Sequence, residues 1–373
     1  MNQFNHKTFF ILLALFVSSM NMICQPRWQR VISPEVHPDK TVTFRLIMPG
    51  AKEVILSSQF EKDQPMVKDT GGIWSITVGP VKPDIYPYSF IVDGVRIMDP
   101  GNRLYFPNEL FKNSLVDIPG NEPLVHSLQD VPHGIVSYRY YNSKTLNVIR
   151  TLVIYTPPGY EANNRKKYPV LYLIHGMTDT EETWFKVGKA NLILDNLISH
   201  GKAEPMIIVM PYANTYSAID PSKNKRGDAL VTHVFDREMK EDIIPFIEKN
   251  YRVITDKEHR AVAGFSLGGR QTMAIGLSNP EMFDFVCLYA PAIWENEFNM
   301  FFNDVFADPV SINQLKLLSL SCGQDDRLYN STLEFNKVLD KKNINYRTFF
   351  TTGGHTWMNC KLFLTESVQL LFR

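Results

Sequence analysis

Residues 259–278, HRAVAGFSLGGRQTMAIGLS, run from an apolar stretch of strand character straight into a stretch of helical character. A strand that feeds a helix without a loop must turn sharply, and the helix then packs back on the sheet that holds the strand. The chain is thereby committed to a sheet with crossover helices. Gly264-Phe265-Ser266-Leu267-Gly268 fills the turn and matches G-x-S-x-G. In such a turn the glycines admit close neighbours, and the serine Oγ is lifted above the sheet at a helix N-terminus, which favours negative charge. A glycine turn with an incidental serine would read the same, so the pattern needs partners before it means chemistry.

The flanking sequence repeats the alternation. RTLVIYTP, YPVLYLIHG, PMIIVMP, FDFVCLYAP, LKLLSLSCG and YRTFFTTGG read as strands, several of them apolar enough to be buried on both faces. NLILDNLISHG is amphipathic, and FDREMKEDIIPFIEKNY gathers Ile243, Ile244, Phe246 and Ile247 on one side of a helix. This order implies an α/β fold around a largely parallel sheet. From Ser33 to about Gly120 the texture is instead all β, with TVTFRLIM, AKEVILSS, GIWSITVG and YPYSFIVDGVRI separated by turn residues that include the Asp93-Gly94 hairpin signal. A small sandwich of immunoglobulin size is expected there. NEPLVHSLQDVPHG has no periodicity and reads as a linker, which divides the chain into residues 25–120, 121–134 and 135–373.

A serine nucleophile needs a base and a group that orients it. In an α/β-hydrolase arrangement they follow in the order Ser, acid, His, on loops after later strands. His355 is the one histidine after Ser266, and it falls in TTGGHTW just past a strand. LKLLSLSCG runs into Asp325 and Asp326, either of which could hold the imidazole in its working tautomer. The oxyanion needs two donors. The backbone N–H of Leu267 is one candidate, and that of Met177, after His175-Gly176 at the end of YPVLYLIHG, is the other. His175 itself is expected to position that loop.

Composition excludes other classes. With 39 basic and 39 acidic residues and a net charge of +0, nothing suggests a nucleic-acid partner. The length of 373 residues fits two domains, and 44% hydrophobic content fits a folded core. MNQFNHKTFFILLALFVSSMNMICQ carries a Lys7 flank and an apolar run from Phe9 to Val17, a signal-peptide pattern over residues 1–24. Export to the periplasm or the extracellular space is expected, with lipidation at Cys24 as the lesser alternative because Asn21-Met22-Ile23 lacks a small residue at −1. No later segment is long enough to span a membrane. Of the four cysteines, Cys287 and Cys322 read as small buried thiols, and without a CxxC or HxxxH pair neither a structural zinc nor any other metal or cofactor is expected. Composition leaves the oligomeric state open.

YPVLYLIHG, KANLILDNLISHGKAEPMIIVMP, DIIPFIEKNYRV, AGFSLGGRQTMAIGLSNPEMF, SCGQDDRLY and GGHTW together resemble the carbohydrate esterase family 1 and enterochelin-esterase-like branch of the α/β-hydrolases. The resemblance implies Ser266 as nucleophile, His355 as base and Asp326 as acid, since Gly323, Asp326 and Leu328 match its G-x-x-D-x-L pattern. It also departs from the family, which often continues H-T-W-x-x-W-R where this chain has Cys360 and Lys361. Residues 33–120 are similar to the early-set, immunoglobulin-like module of such esterases, akin to carbohydrate-binding module family 48. Trp74, Tyr86 and Tyr88 there are expected in its core more than on a sugar-stacking face. The implied activity is a serine carboxylesterase that removes feruloyl, and secondarily acetyl, groups from an acylated oligo- or polysaccharide such as xylan. Trp184, Trp294 and Trp357 are expected to help form an acyl slot. A siderophore esterase or acyltransferase on the same fold is the alternative, followed by an inert glycan-binding protein.

Overall fold

The computed structural model describes residues 31–215, 229–294 and 304–373, together with Glu297 and Phe302; the expected signal peptide and Cys24 lie outside the described residues. Two antiparallel sheets come first. One is ordered β1 (Glu35–Val36), β2 (Val42–Ile47), β6 (Ile73–Val78), β5 (Val67–Lys68). The other is ordered β4 (Gln64–Pro65), β3 (Val54–Ser58), β7 (Asp84–Val92), β8 (Val95–Ile97), with β9 (Ser114–Ile118) also paired to β7. Alternation in β2 turns Val42, Phe44 and Leu46 into the space between the sheets, where they meet Trp74, Tyr86 and Tyr88. Each of these three aromatics is buried with its polar atom satisfied: Trp74 Nε1 donates to Met48 O, Tyr86 OH to Lys82 O, and Tyr88 OH to Asp99. The aromatic set is therefore core, and no sugar-stacking face is built from it. Asp93 and Gly94 both take positive φ, 47° and 86°, as a two-residue hairpin of the expected type requires.

The second part is an eight-stranded sheet in the order β10 (Ile135–Ser143), β11 (Val148–Thr156), β13 (Ile207–Pro211), β12 (Val170–Ile174), β14 (Arg260–Phe265), β15 (Phe285–Tyr289), β16 (Leu317–Gly323), β17 (Arg347–Thr351). From β13 to β17 all neighbours are parallel, and β10 and β11 extend the sheet antiparallel. The fold is thus the expected α/β-hydrolase-like sheet with a β sandwich before it. Strand order reverses at β12, which lies between β13 and β14, and in open α/β sheets ligands collect beyond the carboxyl ends of the strands at such a point. The expected linker is not loose: Asn196 Nδ2, on the helix Ala190–Ser199, donates to Val125 O and Ser127 O, and Asp195 on that helix accepts from Gly134 N–H and pairs with His133.

A buried charge joins the two parts. Lys361, on the last helix Trp357–Val368, places Nζ 2.5 Å from Asp84 Oδ1 on β7, with His126 Nε2 3.7 Å from the same oxygen. Burial holds His126 neutral, its pKa lowered to about 4. Removing one member of a buried pair leaves the other uncompensated, so Lys361→Ala is expected to cost about 3 kcal/mol of stability. Lys361→Met combined with Asp84→Asn should recover most of it in denaturant unfolding. An unchanged midpoint in the single variant would show that the pair is not buried in solution.

Candidate active site

Ile174 pairs with Gly264 across β12 and β14, so the residues that follow, His175-Gly176-Met177 and Phe265-Ser266-Leu267, leave the sheet side by side. Ser266 sits in the turn at φ 59° and ψ −115°, a backbone conformation costly for any residue with a Cβ. It is held there from both sides, since its N–H donates to Tyr289 O at 2.9 Å and its carbonyl accepts from Ala292 N–H at 2.9 Å. The glycines have steric reasons. A Cβ on Gly264 would lie 2.3 Å from Gly268 O, and one on Gly268 would lie 2.4 Å from His175 O. The helix Leu267–Ser278 can pass the end of β12 only because no side chain intervenes.

His355 leaves β17 and places Nε2 3.0 Å from Ser266 Oγ, while its Nδ1 lies 2.7 Å from Asp326 Oδ2. Its ring stacks on Phe265 with centroids 4.4 Å apart. Asn359 pins the loop before it, donating from Nδ2 to Thr351 Oγ1 and Thr352 O. Asp326 is buried, and its other oxygen accepts from Leu328 N–H at 2.8 Å. Asp325 faces away and accepts from Gly353 N–H. The structure thus brings Ser266, His355 and Asp326 into one hydrogen-bonded line, and not Asp325.

His175 is not part of that line. Its Nε2 accepts from Ala213 N–H at 2.9 Å, which makes Nδ1 the protonated nitrogen, 2.7 Å from Gly176 O. Burial lowers its pKa to about 4, so it stays neutral as a strut for the 175–177 segment. That segment lies against the serine: a Cβ on Gly176 would come 3.7 Å from Ser266 Cβ. Met177 follows it, 39% exposed, and Leu267 opens the helix, whose first N–H groups have no intrahelical acceptor.

Two of the three tryptophans expected in an acyl slot are elsewhere. Trp184 is 1% exposed and Trp357 7%; they pack edge to face in the core, and Trp184 Nε1 donates to Ile174 O. Neither has a face free for a ligand. Trp294 is 46% exposed, and its N–H donates to Glu297, whose carboxylate holds Arg270 through two 2.7 Å contacts. Arg270, directly after Gly268-Gly269 and one turn from the serine, is a buried charge on the helix Leu267–Ser278, and the Glu297 carboxylate is its partner. Cys287, Cys322 and Cys360 are free and buried.

The sequence profile of the Esterase family matches residues 143–359, more than half of the chain. Among curated proteins the chain is 34% identical over 259 residues to an endo-1,4-beta-xylanase/feruloyl esterase of Xylanibacter ruminicola, covering 68% of this chain and 35% of that protein. It spans about a third or less of the length of the curated relatives it matches first. Among solved structures, a ferulic acid esterase is 26% identical with a TM-score of 0.56, covering 64% of this chain and 97% of that one. The enterobactin esterase of Shigella flexneri is 16% identical with a TM-score of 0.64, covering 94% of this chain and 97% of that one, a likeness of fold that includes the β sandwich.

Proposed function

The chain belongs to the Esterase family, and from that premise we propose that it is an exported serine carboxylesterase acting on feruloyl, and secondarily acetyl, esters of plant polysaccharide such as xylan. The observation that carries the chemistry is the line from Ser266 Oγ through His355 to Asp326. Ser266 Oγ attacks the ester carbonyl as His355 Nε2 takes its proton, and Asp326 stabilises the resulting imidazolium. The N–H groups of Met177 and Leu267 receive the oxyanion. Collapse breaks the acyl–oxygen bond, the imidazolium returns the proton to the departing sugar oxygen, and an acyl-serine remains. Water, deprotonated by the same imidazole, then releases the free acid and restores Ser266. The named feruloyl esterase relative and the exposed Trp294, a flat surface for an aromatic acid, support the acyl choice. Export rests on the N-terminal apolar run, and a polymeric substrate that cannot cross a membrane requires it.

Purified protein is expected to hydrolyse methyl ferulate with a higher kcat/KM than an aryl acetate, and to leave enterobactin intact. Preferred cleavage of enterobactin would replace this reading with the siderophore alternative. Absence of turnover on all three would overturn the esterase reading itself.

A further inference from the structure

The β sandwich reaches the site through the loop between β8 and β9. Its residues 105–112 leave the sandwich and lie on the segment that follows Met177. Glu109 N–H donates to Thr178 O at 2.7 Å, and Thr183 Oγ1 donates to Pro107 O at 2.8 Å. Between these, Asn108 Nδ2 donates to Thr178 Oγ1 at 2.8 Å and to Asp179 Oδ1 at 3.0 Å. The orientation of that amide is not free. Its Oδ1 accepts from Leu110 N–H and Phe111 N–H, each at 2.9 Å, so the NH₂ end must face the Asp179 carboxylate.

The amide holds the Asp179 carboxylate, and Asp179 grips Gly176 from both sides: the carboxylate accepts from Gly176 N–H, and the Asp179 main chain holds the carbonyl of the Gly176–Met177 peptide. Its carboxylate is buried against Gly176, with Oδ2 3.0 Å from where a Gly176 Cβ would stand. Its own N–H donates to Gly176 O at 3.3 Å, the same oxygen that faces His175 Nδ1. A peptide unit is planar and trans, so fixing the direction of the Gly176 carbonyl fixes the Met177 N–H in the opposite direction. Burial raises the Asp179 pKa to about 7, against which the bonds from Asn108 and Gly176 N–H work. A carboxyl in so dry a place keeps its orientation only while its donors are in place.

We propose that Asn108 is a positioning residue for the oxyanion donor: through Asp179 it fixes the Gly176–Met177 peptide, which makes the N-terminal β sandwich a working part of the esterase site. This rests on the reading of Met177 N–H as an oxyanion donor. The sandwich then cannot be exchanged as an independent binding module, because a catalytic donor is aligned by one of its side chains.

The test uses the full chain and Asn108→Ser, which keeps an oxygen for the Leu110 and Phe111 N–H groups and removes the amide donor. A misplacement near 1 Å costs on the order of 100-fold, so kcat on methyl ferulate is expected to fall about 10- to 100-fold with KM within about threefold. An aryl boronic acid, which forms a tetrahedral adduct on Ser266, should bind more weakly by the same factor, while binding of the product ferulate stays unchanged. Tyr105→Phe is the comparison. It removes a hydroxyl that donates to Glu182 across the same interface, and it should leave kcat alone. Unchanged kcat in Asn108→Ser, equal weakening of boronic acid and ferulate, or an equal loss in Tyr105→Phe would each overturn the proposal. If Asn108→Ser does not fold, the isosteric Asp179→Asn is read by the same two affinities, and unchanged values there overturn it too. Turnover by the native protein is measured first. Its absence brings down the functional reading and this inference together, whereas normal turnover with an indifferent Asn108→Ser removes only the role of Asn108.

Discussion

Ser266→Ala is expected to lose methyl ferulate turnover by at least about 10⁴-fold while unfolding at the same denaturant midpoint, and Ser266→Gly to lose it equally while becoming more stable. The first result follows from the line of hydrogen bonds, in which Ser266 Oγ is the atom His355 Nε2 addresses at 3.0 Å. The second follows from the backbone. At φ 59° and ψ −115° a Cβ is strained by about 1–3 kcal/mol, and the bonds to Tyr289 and Ala292 prevent the residue from relaxing. Alanine keeps the Cβ and so keeps the strain. Glycine removes it and returns about 0.4–1 kcal/mol through the greater freedom of the unfolded chain, for a net gain of about 1 kcal/mol. Residual turnover in Ser266→Ala would refute the nucleophile. A glycine variant less stable than the alanine one would refute strain as the reason the turn is costly.

That turn was legible because its causes are local. The strand, the serine and the helix are contiguous in the chain, and the glycines at 264 and 268 record close approaches that only glycine permits. His355 and Asp326 were legible for a different reason: Asp326 follows the fully buried apolar strand β16 and His355 follows its neighbour β17, and the ends of adjacent parallel strands converge whatever their distance in sequence. What escaped has no local signature. The β10 strand IVSYRYYNS is rich in β-branched and aromatic residues, but as an edge strand it exposes most of its side chains and shows no clean alternation. Trp184 and Trp357 were misplaced because an aromatic near a site in sequence carries no mark of which way it turns, and both turn into the core. Asn108 was invisible, since its partners lie 70 and 71 residues away in another sheet system.

Asp326→Asn should cost about 10⁴-fold in kcat and Asp325→Asn less than about tenfold, although the two residues are adjacent. The difference comes from how β16 and β17 end. A Cβ on Gly323 would lie 2.1 Å from Gly353 O, so the two strand ends are pressed together, and Asp325 N–H donates to that same Gly353 oxygen at 3.0 Å. This spends Asp325 on the junction: its carboxylate turns outward to accept from Gly353 N–H at 2.9 Å, a bond that an asparagine oxygen can also accept. The next residue is delivered to the inner side. Leu328 N–H then fixes one oxygen of Asp326 at 2.8 Å and leaves the other aimed at His355 Nδ1. An asparagine there could turn its oxygen to Leu328 N–H only by presenting an NH₂ to the imidazole, which would invite the tautomer with its proton on Nε2, unable to accept from Ser266. Steady-state kcat of both variants on methyl ferulate measures the ranking, with melting curves to show that the junction survives. If Asp325→Asn proved the more damaging with both variants folded, the orienting role would belong to the strand junction and not to the carboxylate that faces the histidine.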